Sequence, residues 1–365
     1  MPMPLILRLS ARRNLSARLI LVLLLAGAVH AGGQPPSAYD AGQQAFLARN
    51  FGVAAQRFEE AESQAGSASD ASLFLAKSLL HLNRFSDAEA ALKRYLEAHP
   101  KNSEASFLRG FVLFREDRAA PSLEAYTHAA TLAMPHADDL KIVALDYVLL
   151  HDDASAVRWL ERSLQMNGSD PEAWYFLGRA LFSQSRFAEA EHGFLEALRL
   201  DPAQLRARNN LGLTYEAENR PADALREYQE AVARDRAARS GTAAVAGKPP
   251  PAAETEAQPY VNLGSLLILQ NRSAEAVPIL QESAAISVSC VPCHLQLGRA
   301  LGREGKLAAA RVELEVAVKL KPEDPALHYE LGLLYQRSGD KAAAKVELAR
   351  SKELYGNRAA GPAVP

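Results

Sequence analysis

Residues 171–202 read PEAWYFLGRALFSQSRFAEAEHGFLEALRLDP, and this stretch decides the fold. Two small residues, Gly178 and Ala190, and one large residue, Phe194, set a pattern that can be followed along the chain. The stretch ends at Asp201-Pro202, and a residue that precedes proline avoids helical angles. The stretch is therefore interpreted as one structural unit that stops at this proline.

The pattern returns in steps of 34 residues, with one longer step of 52 between Gly212 and Gly264. The glycine position holds Gly42, Ala76, Gly110, Ala144, Gly178, Gly212, Gly264, Gly298 and Gly332. The alanine position holds Ala54, Ala88, Ser122, Ala156, Ala190, Ala224, Ala276, Ala310 and Ala344. The large-residue position holds Phe58, Leu92, Tyr126, Leu160, Phe194, Tyr228, Leu280, Leu314 and Leu348. Three series that stay in phase predict nine repeats.

Physical reasons explain these residue types. Small side chains allow two antiparallel helices to cross closely, because a larger side chain would wedge them apart. The large residue is expected to fill the gap between neighbouring repeats. One repeat cannot bury its own apolar face, so stability must come from stacking. The sequence therefore predicts an all-α stack of helix pairs.

The unit at residues 171–202 resembles the tetratricopeptide repeat. The matching residues are Trp174, Leu177, Gly178, Ala190, Phe194, Ala197 and Pro202, and Leu181 stands where the family has tyrosine. The resemblance covers about residues 35–356. It implies a right-handed α-solenoid with a concave groove, and a protein-interaction scaffold rather than an enzyme.

The spacing also predicts the domain organisation. Repeats 1–6 occupy residues 35–236 and repeats 7–9 occupy residues 257–356. Residues 237–256 have almost no large apolar side chains and are expected to form a disordered insertion, as is the tail at residues 357–365. The fourth repeat, near residues 137–170, has an unusual entry and exit and predicts a softer joint. No capping helix follows the ninth repeat, so self-association through that end is possible.

The first 31 residues are typical of a secretory signal peptide. Four arginines precede an eleven-residue apolar run, Leu19 to Val29, and small residues follow. That run is too short to span a bilayer, so no stable membrane span is expected after cleavage. We therefore expect an exported protein, periplasmic or secreted. Without the leader arginines the acidic residues predominate, which argues against a nucleic-acid partner.

The resemblance places the first helix of each repeat on the inner surface of the groove. Arginine forks pair with carboxylates, and asparagine amides can hold an extended backbone. These residue types predict a site for an acidic peptide or a C-terminal carboxylate. The candidate groove residues are Tyr175, Arg179, Arg206, Asn209, Asn210, Asn262, Arg299, Arg303 and Arg337.

Cys290-Val291-Pro292-Cys293-His294 matches the attachment pattern of c-type haem. A haem protein that transfers electrons is thus an alternative function. However, the 34-residue spacing is unbroken here, and His294 occupies the same repeat position as Trp174 and His328. A local disulfide, a pair of small apolar residues and a labile redox disulfide also remain open.

Other chemistry is weakly represented in the sequence. His151-Asp152-Asp153 is the best residual metal cluster, but it falls at a turn where short polar residues are expected. No phosphate-binding loop, nucleophile elbow or zinc-protease motif occurs, and no catalytic residue can be nominated. An accessory subunit of an envelope enzyme complex, with catalysis on a partner, is a further alternative.

Overall fold

The computed structural model describes residues 37–65, 70–240 and 257–359. These ranges contain eighteen α-helices and no β-strand, which confirms the predicted all-α repeat solenoid. The helices are α1 (Ala38–Leu47), α2 (Phe51–Ala65), α3 (Asp70–His81), α4 (Phe85–Ala98), α5 (Ser103–Arg115), α6 (Ala119–Leu132), α7 (Ala137–Leu149), α8 (Asp153–Met166), α9 (Pro171–Ser183), α10 (Phe187–Leu200), α11 (Leu205–Ala217), α12 (Pro221–Arg239), α13 (Gln258–Leu269), α14 (Ser273–Ile286), α15 (Val291–Arg303), α16 (Leu307–Leu320), α17 (Pro325–Ser338) and α18 (Lys341–Ala359).

The helices group into two compact segments, which divide between Val112 and Leu113. In the N-terminal segment α1 packs on α2, α2 on α3, and α3 on α4. In the C-terminal segment every helix from α6 to α18 packs on the next one in the sequence. Each segment is therefore a stack in which neighbours in sequence are neighbours in space.

The glycine position is where the two helices of a pair approach most closely. At Gly42, Gly178, Gly212, Gly264, Gly298 and Gly332, an added Cβ would lie within 3.0 Å of the large residue sixteen positions later. The nine alanine-position residues are at most 2% exposed. The large residue thus covers the glycine of its own pair. It also reaches the next pair in the case of Phe58, whose ring stacks on Phe74 with centroids 5.5 Å apart.

A two-residue exchange tests this contact. Gly178→Ala would bring a methyl group to 2.8 Å from the Phe194 ring. We expect a loss of about 1–2 kcal/mol in the free energy of unfolding, because overpacking outweighs the better helix propensity of alanine. Adding Phe194→Leu copies the pairing of Ala76 with Leu92 and should make the double variant more stable than the sum of the single losses. Urea unfolding measures both effects.

Gly52→Ala is the matched control, because an added Cβ there has no neighbour within 4 Å. This exposed helical site should gain about 0.5–1 kcal/mol. Strictly additive losses at positions 178 and 194 would show that the two residues do not share one packing site.

A left-handed residue joins the two helices of each pair. Seven are not glycine, with φ between 57° and 60°, and the last two are Gly305 and Gly339, with φ of 76° and 85°. The seven are Arg49, Asn83, Asp117, His151, Ser185, Asn219 and Asn271. The following residue often pairs with an acid three positions later, as Arg84 does with Asp87 at 2.7 Å. This fourth series keeps the turn geometry the same from pair to pair.

The fourth pair, α7 and α8, is better capped than its sequence suggests. The Asp139 carboxylate accepts a hydrogen bond from the His136 backbone N–H at 2.7 Å, which closes a capping box at the start of α7. An unusual feature lies inside the pair: Asp146 on α7 is 0% exposed. Burial raises the pKa of this carboxyl to about 7, and the hydroxyl of Ser122 opposes the increase only in part. A buried carboxylate therefore replaces the expected loose entry as the weak point of this pair.

Asp146 should make stability depend on pH. Because its folded pKa is raised, the folded state binds the proton more tightly. The stabilisation of the folded state by this proton is complete below about pH 4 and is lost as the pH rises towards 7. Asp146→Asn removes this dependence, so its stability relative to the natural chain should increase by up to about 4 kcal/mol between pH 4 and pH 8. Urea unfolding of both proteins at pH 4 and pH 8 measures this change. If the stability difference between the variant and the natural chain is the same at both pH values, the raised pKa of Asp146 is contradicted.

Two predicted boundaries need correction. The insertion was expected to begin at residue 237, but α12 continues to Arg239. The reason is electrostatic: Arg236 pairs with Glu282 at 2.6 Å, and Arg239 pairs with Asp235 at 2.9 Å. Helix α18 likewise runs to Ala359, beyond the predicted start of the tail at 357. The remainder of the insertion, the final residues and the predicted signal peptide lie outside the described residues.

Candidate functional site

The first helices of successive pairs lie side by side in the C-terminal segment. Besides packing on its own partner, α7 contacts α9, α9 contacts α11, α13 contacts α15, and α15 contacts α17. All nine candidate groove residues lie on helices of this set. The predicted site residues thus lie on first helices, and these helices contact one another in α7–α9–α11 and in α13–α15–α17.

Two arginines from neighbouring helices converge on one buried tyrosine. Tyr175 on α9 is only 4% exposed. The Arg206 guanidinium on α11 lies 5.5 Å from its ring centroid, and the Arg179 guanidinium on α9 lies 5.9 Å from it. Cation–π contacts of this kind orient the planar guanidinium groups over an aromatic ring. The ring of Tyr175 therefore has two guanidinium groups within 6 Å of its centroid.

Amide side chains continue this site towards α13. The side-chain amide of Asn262 donates a hydrogen bond to Oδ1 of Asn209 at 2.8 Å. The side-chain amide of Gln258 donates to Oδ1 of Asn262 at 2.9 Å. Asn209 is 5% exposed, whereas Asn210 beside it is partly exposed. We call the six residues on α9, α11 and α13 the arginine–amide patch: Tyr175, Arg179, Arg206, Asn209, Asn210 and Asn262.

A buried lysine network adjoins the patch. Lys141 on α7 is 4% exposed, and its Nζ atom lies 2.7 Å from Asp170 and 3.3 Å from Glu172. Burial lowers the pKa of Lys141, but the two acids outweigh that effect and the net pKa is raised. Burial raises the pKa of Glu172, against the opposing charges of Lys141 and Arg206. The charge of Arg206 therefore acts on the carboxylate of Glu172.

The other three candidate arginines hold neighbouring helices together. Arg303 donates to the carbonyl oxygen of Ile268, near the end of α13, at 2.5 Å. Arg337 makes the equivalent bond to Gly302, near the end of α15, at 2.6 Å. Arg299 pairs with Glu330 on α17 at 2.5 Å. Cations at helix C-termini satisfy carbonyls that lack partners, so these contacts have a structural role in the stack.

The two cysteines form a disulfide at the start of α15. Cys290 is the N-cap residue, and its sulfur accepts the backbone N–H of Cys293 at 3.2 Å. Cys293 is 0% exposed, and its sulfur accepts a hydrogen bond from the Ser283 hydroxyl at 2.9 Å. Among the sequence alternatives, the structure therefore has the local disulfide.

The residues around the motif do not fit haem attachment. His294 Nδ1 lies 2.7 Å from the Glu313 carboxylate and Nε2 lies 3.1 Å from the Val288 carbonyl, so both ring nitrogens have protein partners. His328 makes the same two contacts, to Glu347 at 2.6 Å and to the Pro322 carbonyl at 2.9 Å, and no cysteine adjoins it. The histidine position is thus a repeated packing contact, and both thiols are already joined.

Sequence models of known families match four stretches of the chain. The matching descriptions are "Tetratricopeptide repeat" for residues 45–109, "Tetratricopeptide repeat" for residues 144–203 and 184–241, and "TPR repeat" for residues 298–339. Together these stretches cover more than half of the chain. The chain belongs to the tetratricopeptide repeat family. No curated protein sequence matches it significantly.

Several solved structures share the fold. A tetratricopeptide repeat protein from Parabacteroides merdae ATCC 43184 is 16% identical, with a TM-score of 0.52 over 76% of this chain and 99% of that one. PilW, described as a widely conserved type IV pilus biogenesis factor, is 18% identical, with a TM-score of 0.51 over 60% and 94%. PilF from Pseudomonas aeruginosa is 17% identical, with a TM-score of 0.50 over 60% and 92%. At these identities the likeness concerns the fold alone.

The weak metal cluster has other roles in the tetratricopeptide framework. His151 is the left-handed turn residue, Asp152 caps α8 through Ser155, and Asp153 accepts the Ser183 hydroxyl at 2.6 Å. No group of three metal-type residues occurs in the described residues, and no described helix is long and apolar enough to cross a membrane. Sequence reasoning missed the lysine network. Its signal was a lysine, Lys141, at the repeat position that Tyr175 occupies in the next repeat.

The histidine position gives a paired test. His294→Ala and His328→Ala should each lower the free energy of unfolding by about 1–3 kcal/mol, because each removes two hydrogen bonds between elements. The two losses should be similar in urea unfolding, since the contacts are the same. A Soret absorbance band in the purified protein that disappears in His294→Ala but persists in His328→Ala would contradict this structural role.

Proposed function

We propose that this tetratricopeptide protein is an exported interaction scaffold, whose arginine–amide patch binds an acidic or C-terminal carboxylate segment of a partner protein. The observation that supports the proposal best is the convergence of Arg179 and Arg206 on Tyr175. Each guanidinium group presents a fork of donors that matches a carboxylate, and both lie beside the same tyrosine ring. The basic leader sequence is the ground for export.

The patch also offers donors and acceptors for an extended backbone. Asn210 is partly exposed on α11, one residue after the buried Asn209, which is bonded to Asn262. The Asn209–Asn262 bond fixes the amide orientation across two helices, so Asn210 stands on a rigid support. Rigid polar groups lose little entropy on binding, which favours recognition of a flexible peptide.

The adjoining acids set the specificity. Arg206 lies close enough to Glu172 to act on the pKa of that carboxyl. A ligand carboxylate would replace this internal partner, whereas a basic ligand would meet Arg179 and Arg206 without compensation. The arrangement therefore selects for negative charge, and binding should weaken as salt increases.

Self-association through the last pair stays a prediction. Tyr329, Val346 and Tyr355 are 49%, 65% and 54% exposed. These apolar residues lie on α17 and α18, the final described helices.

Peptide binding tests the patch. We expect acidic peptides with a free C-terminus to bind the full chain, and amidated or basic versions to bind less well in fluorescence anisotropy. Arg206→Ala with Asn210→Ala should weaken binding about tenfold to a hundredfold, since hydrogen bonds to charged groups contribute about 1.5–3 kcal/mol. The melting temperature should stay the same within a few degrees.

The control is Arg226→Ala, which removes a guanidinium from α12, where it is 67% exposed and paired with Asp223. This variant should bind as the natural chain does. Equal binding by the patch variant and the natural chain would remove the carboxylate proposal and leave the scaffold without an assigned surface.

A further inference from the structure

The disulfide lies in the turn at the start of α15, and the equivalent turns at the starts of α9 and α17 form without a disulfide. Asp170 and Asp324 occupy the repeat position of Cys290, and each caps its helix through its carboxylate. The position of Cys293 holds Ala173 and Leu327 in those repeats, and both are buried. A short capping residue and a small or medium apolar residue are therefore enough for the fold. The covalent bond between Cys290 and Cys293 adds something that this turn does not need.

Ser283 occupies a repeat position that holds serine in other repeats, and its hydroxyl donates to the Cys293 sulfur. Ser163 and Ser351 occupy the same repeat position as Ser283, and they donate to the carbonyl oxygens of Ala137 at 2.7 Å and Pro325 at 2.8 Å. The Ser283 hydroxyl lies 3.4 Å from the equivalent carbonyl oxygen, that of Ala257, and makes a shorter hydrogen bond to the Cys293 sulfur at 2.9 Å. The buried sulfur thus has a donor that would stabilise negative charge on it.

The two sulfurs differ in access. Cys293 is 0% exposed, whereas Cys290 is partly exposed and lies between the exposed Ser289 and Pro292. Val288, two residues before Cys290, is 76% exposed. Cys290 is therefore the residue of the pair that is more accessible to an incoming thiolate, and Cys293 is placed as the leaving group.

We propose that Cys290 and Cys293 form a thiol–disulfide exchange site that oxidises a dithiol of a partner protein. In the first step a partner thiolate attacks the Cys290 sulfur. A new bond forms between the two sulfurs, the Cys290–Cys293 bond breaks, and its electron pair stays on Cys293, where the Ser283 hydroxyl donates to it. The product is a mixed disulfide between the partner and Cys290.

The second step completes the exchange. A second partner thiolate attacks the partner sulfur of the mixed disulfide, and Cys290 leaves as a thiolate that accepts the Cys293 backbone N–H. The partner becomes a disulfide, and its two protons pass to the reduced cysteines. Two electrons move from the partner dithiol to the protein, so the partner is the reductant and no further reagent is required.

A trapping experiment with the full chain tests the site. These are the two cysteines of the sequence, so labels are unambiguous. Cys293→Ser leaves the accessible Cys290 without its resolving partner. We expect it to form a mixed disulfide with oxidised glutathione, detected by intact mass. Cys290→Ser should stay unmodified while folded and react only in denaturant, because Cys293 is buried.

The rate of reduction tests the serine. Glutathione should reduce the natural chain while it remains folded, and Ser283→Ala should slow this reduction about tenfold, because it removes a hydrogen bond to the leaving thiolate. Ser351→Ala is the matched control: it removes a serine hydrogen bond at the same repeat position, and the reduction rate should not change.

A variant that carries the residues of an equivalent repeat distinguishes a disulfide for thiol exchange from a disulfide that only stabilises the fold. Cys290→Asp with Cys293→Ala reproduces the turn of Asp170 and Ala173, and its melting temperature should stay within a few degrees of the natural chain. A large fall in melting temperature would overturn the proposal in favour of a stabilising bridge. Reduction that occurs only on unfolding, or equal rates for Ser283→Ala and the natural chain, would also overturn it. Peptide binding at the arginine–amide patch does not enter any of these measurements.

Discussion

The close crossing of two helices at a small residue is the constraint on which the structure depends. A glycine on the first helix lies under a large side chain sixteen residues later, with no room for a Cβ between them. Because this contact recurs at six of the glycine positions, the two helices of those pairs pack against each other at the same point. The first helices can then line up on one face of the C-terminal segment, and any site built from several pairs inherits its spacing from this single contact.

The face formed by the first helices carries both residues that stabilise the stack and residues of the candidate binding site. Arg303 and Arg337 join each first helix to the one before it, and His294 and His328 tie a loop to the second helix of the same pair. These side chains are engaged in the stack itself. The arginine–amide patch lies at a repeat position whose residue varies along the chain: Tyr175 and Asn209 occupy it here, and Lys141 occupies it in the preceding repeat. The candidate site is therefore built at a variable position of a repetitive surface.

The glycine and alanine series were predictable from sequence because steric exclusion leaves few residue types at a close crossing. The turn at His151 was predicted from its short polar neighbours, whereas Arg49 and Ser185 gave no turn signal, because neither residue type favours the left-handed conformation. The groove arginines were predicted as residues, but their partners were not. Arg303 binds a carbonyl only because α13 ends within its reach, and a helix end is a property of three-dimensional context. The helical extension to Arg239 depends in the same way on the distant Glu282.

The contacts on either side of residues 241–256 have a consequence for the integrity of the chain. The Tyr260 hydroxyl donates to the buried Asp235 at 2.7 Å, and Arg236 reaches Glu282 at 2.6 Å, so α12 is bound directly to α13 and α14. The side-chain contacts therefore hold α12 next to α13 and α14 independently of the chain connection through residues 241–256. A protease cut there would yield two fragments that stay together through side-chain bonds and separate only in denaturant.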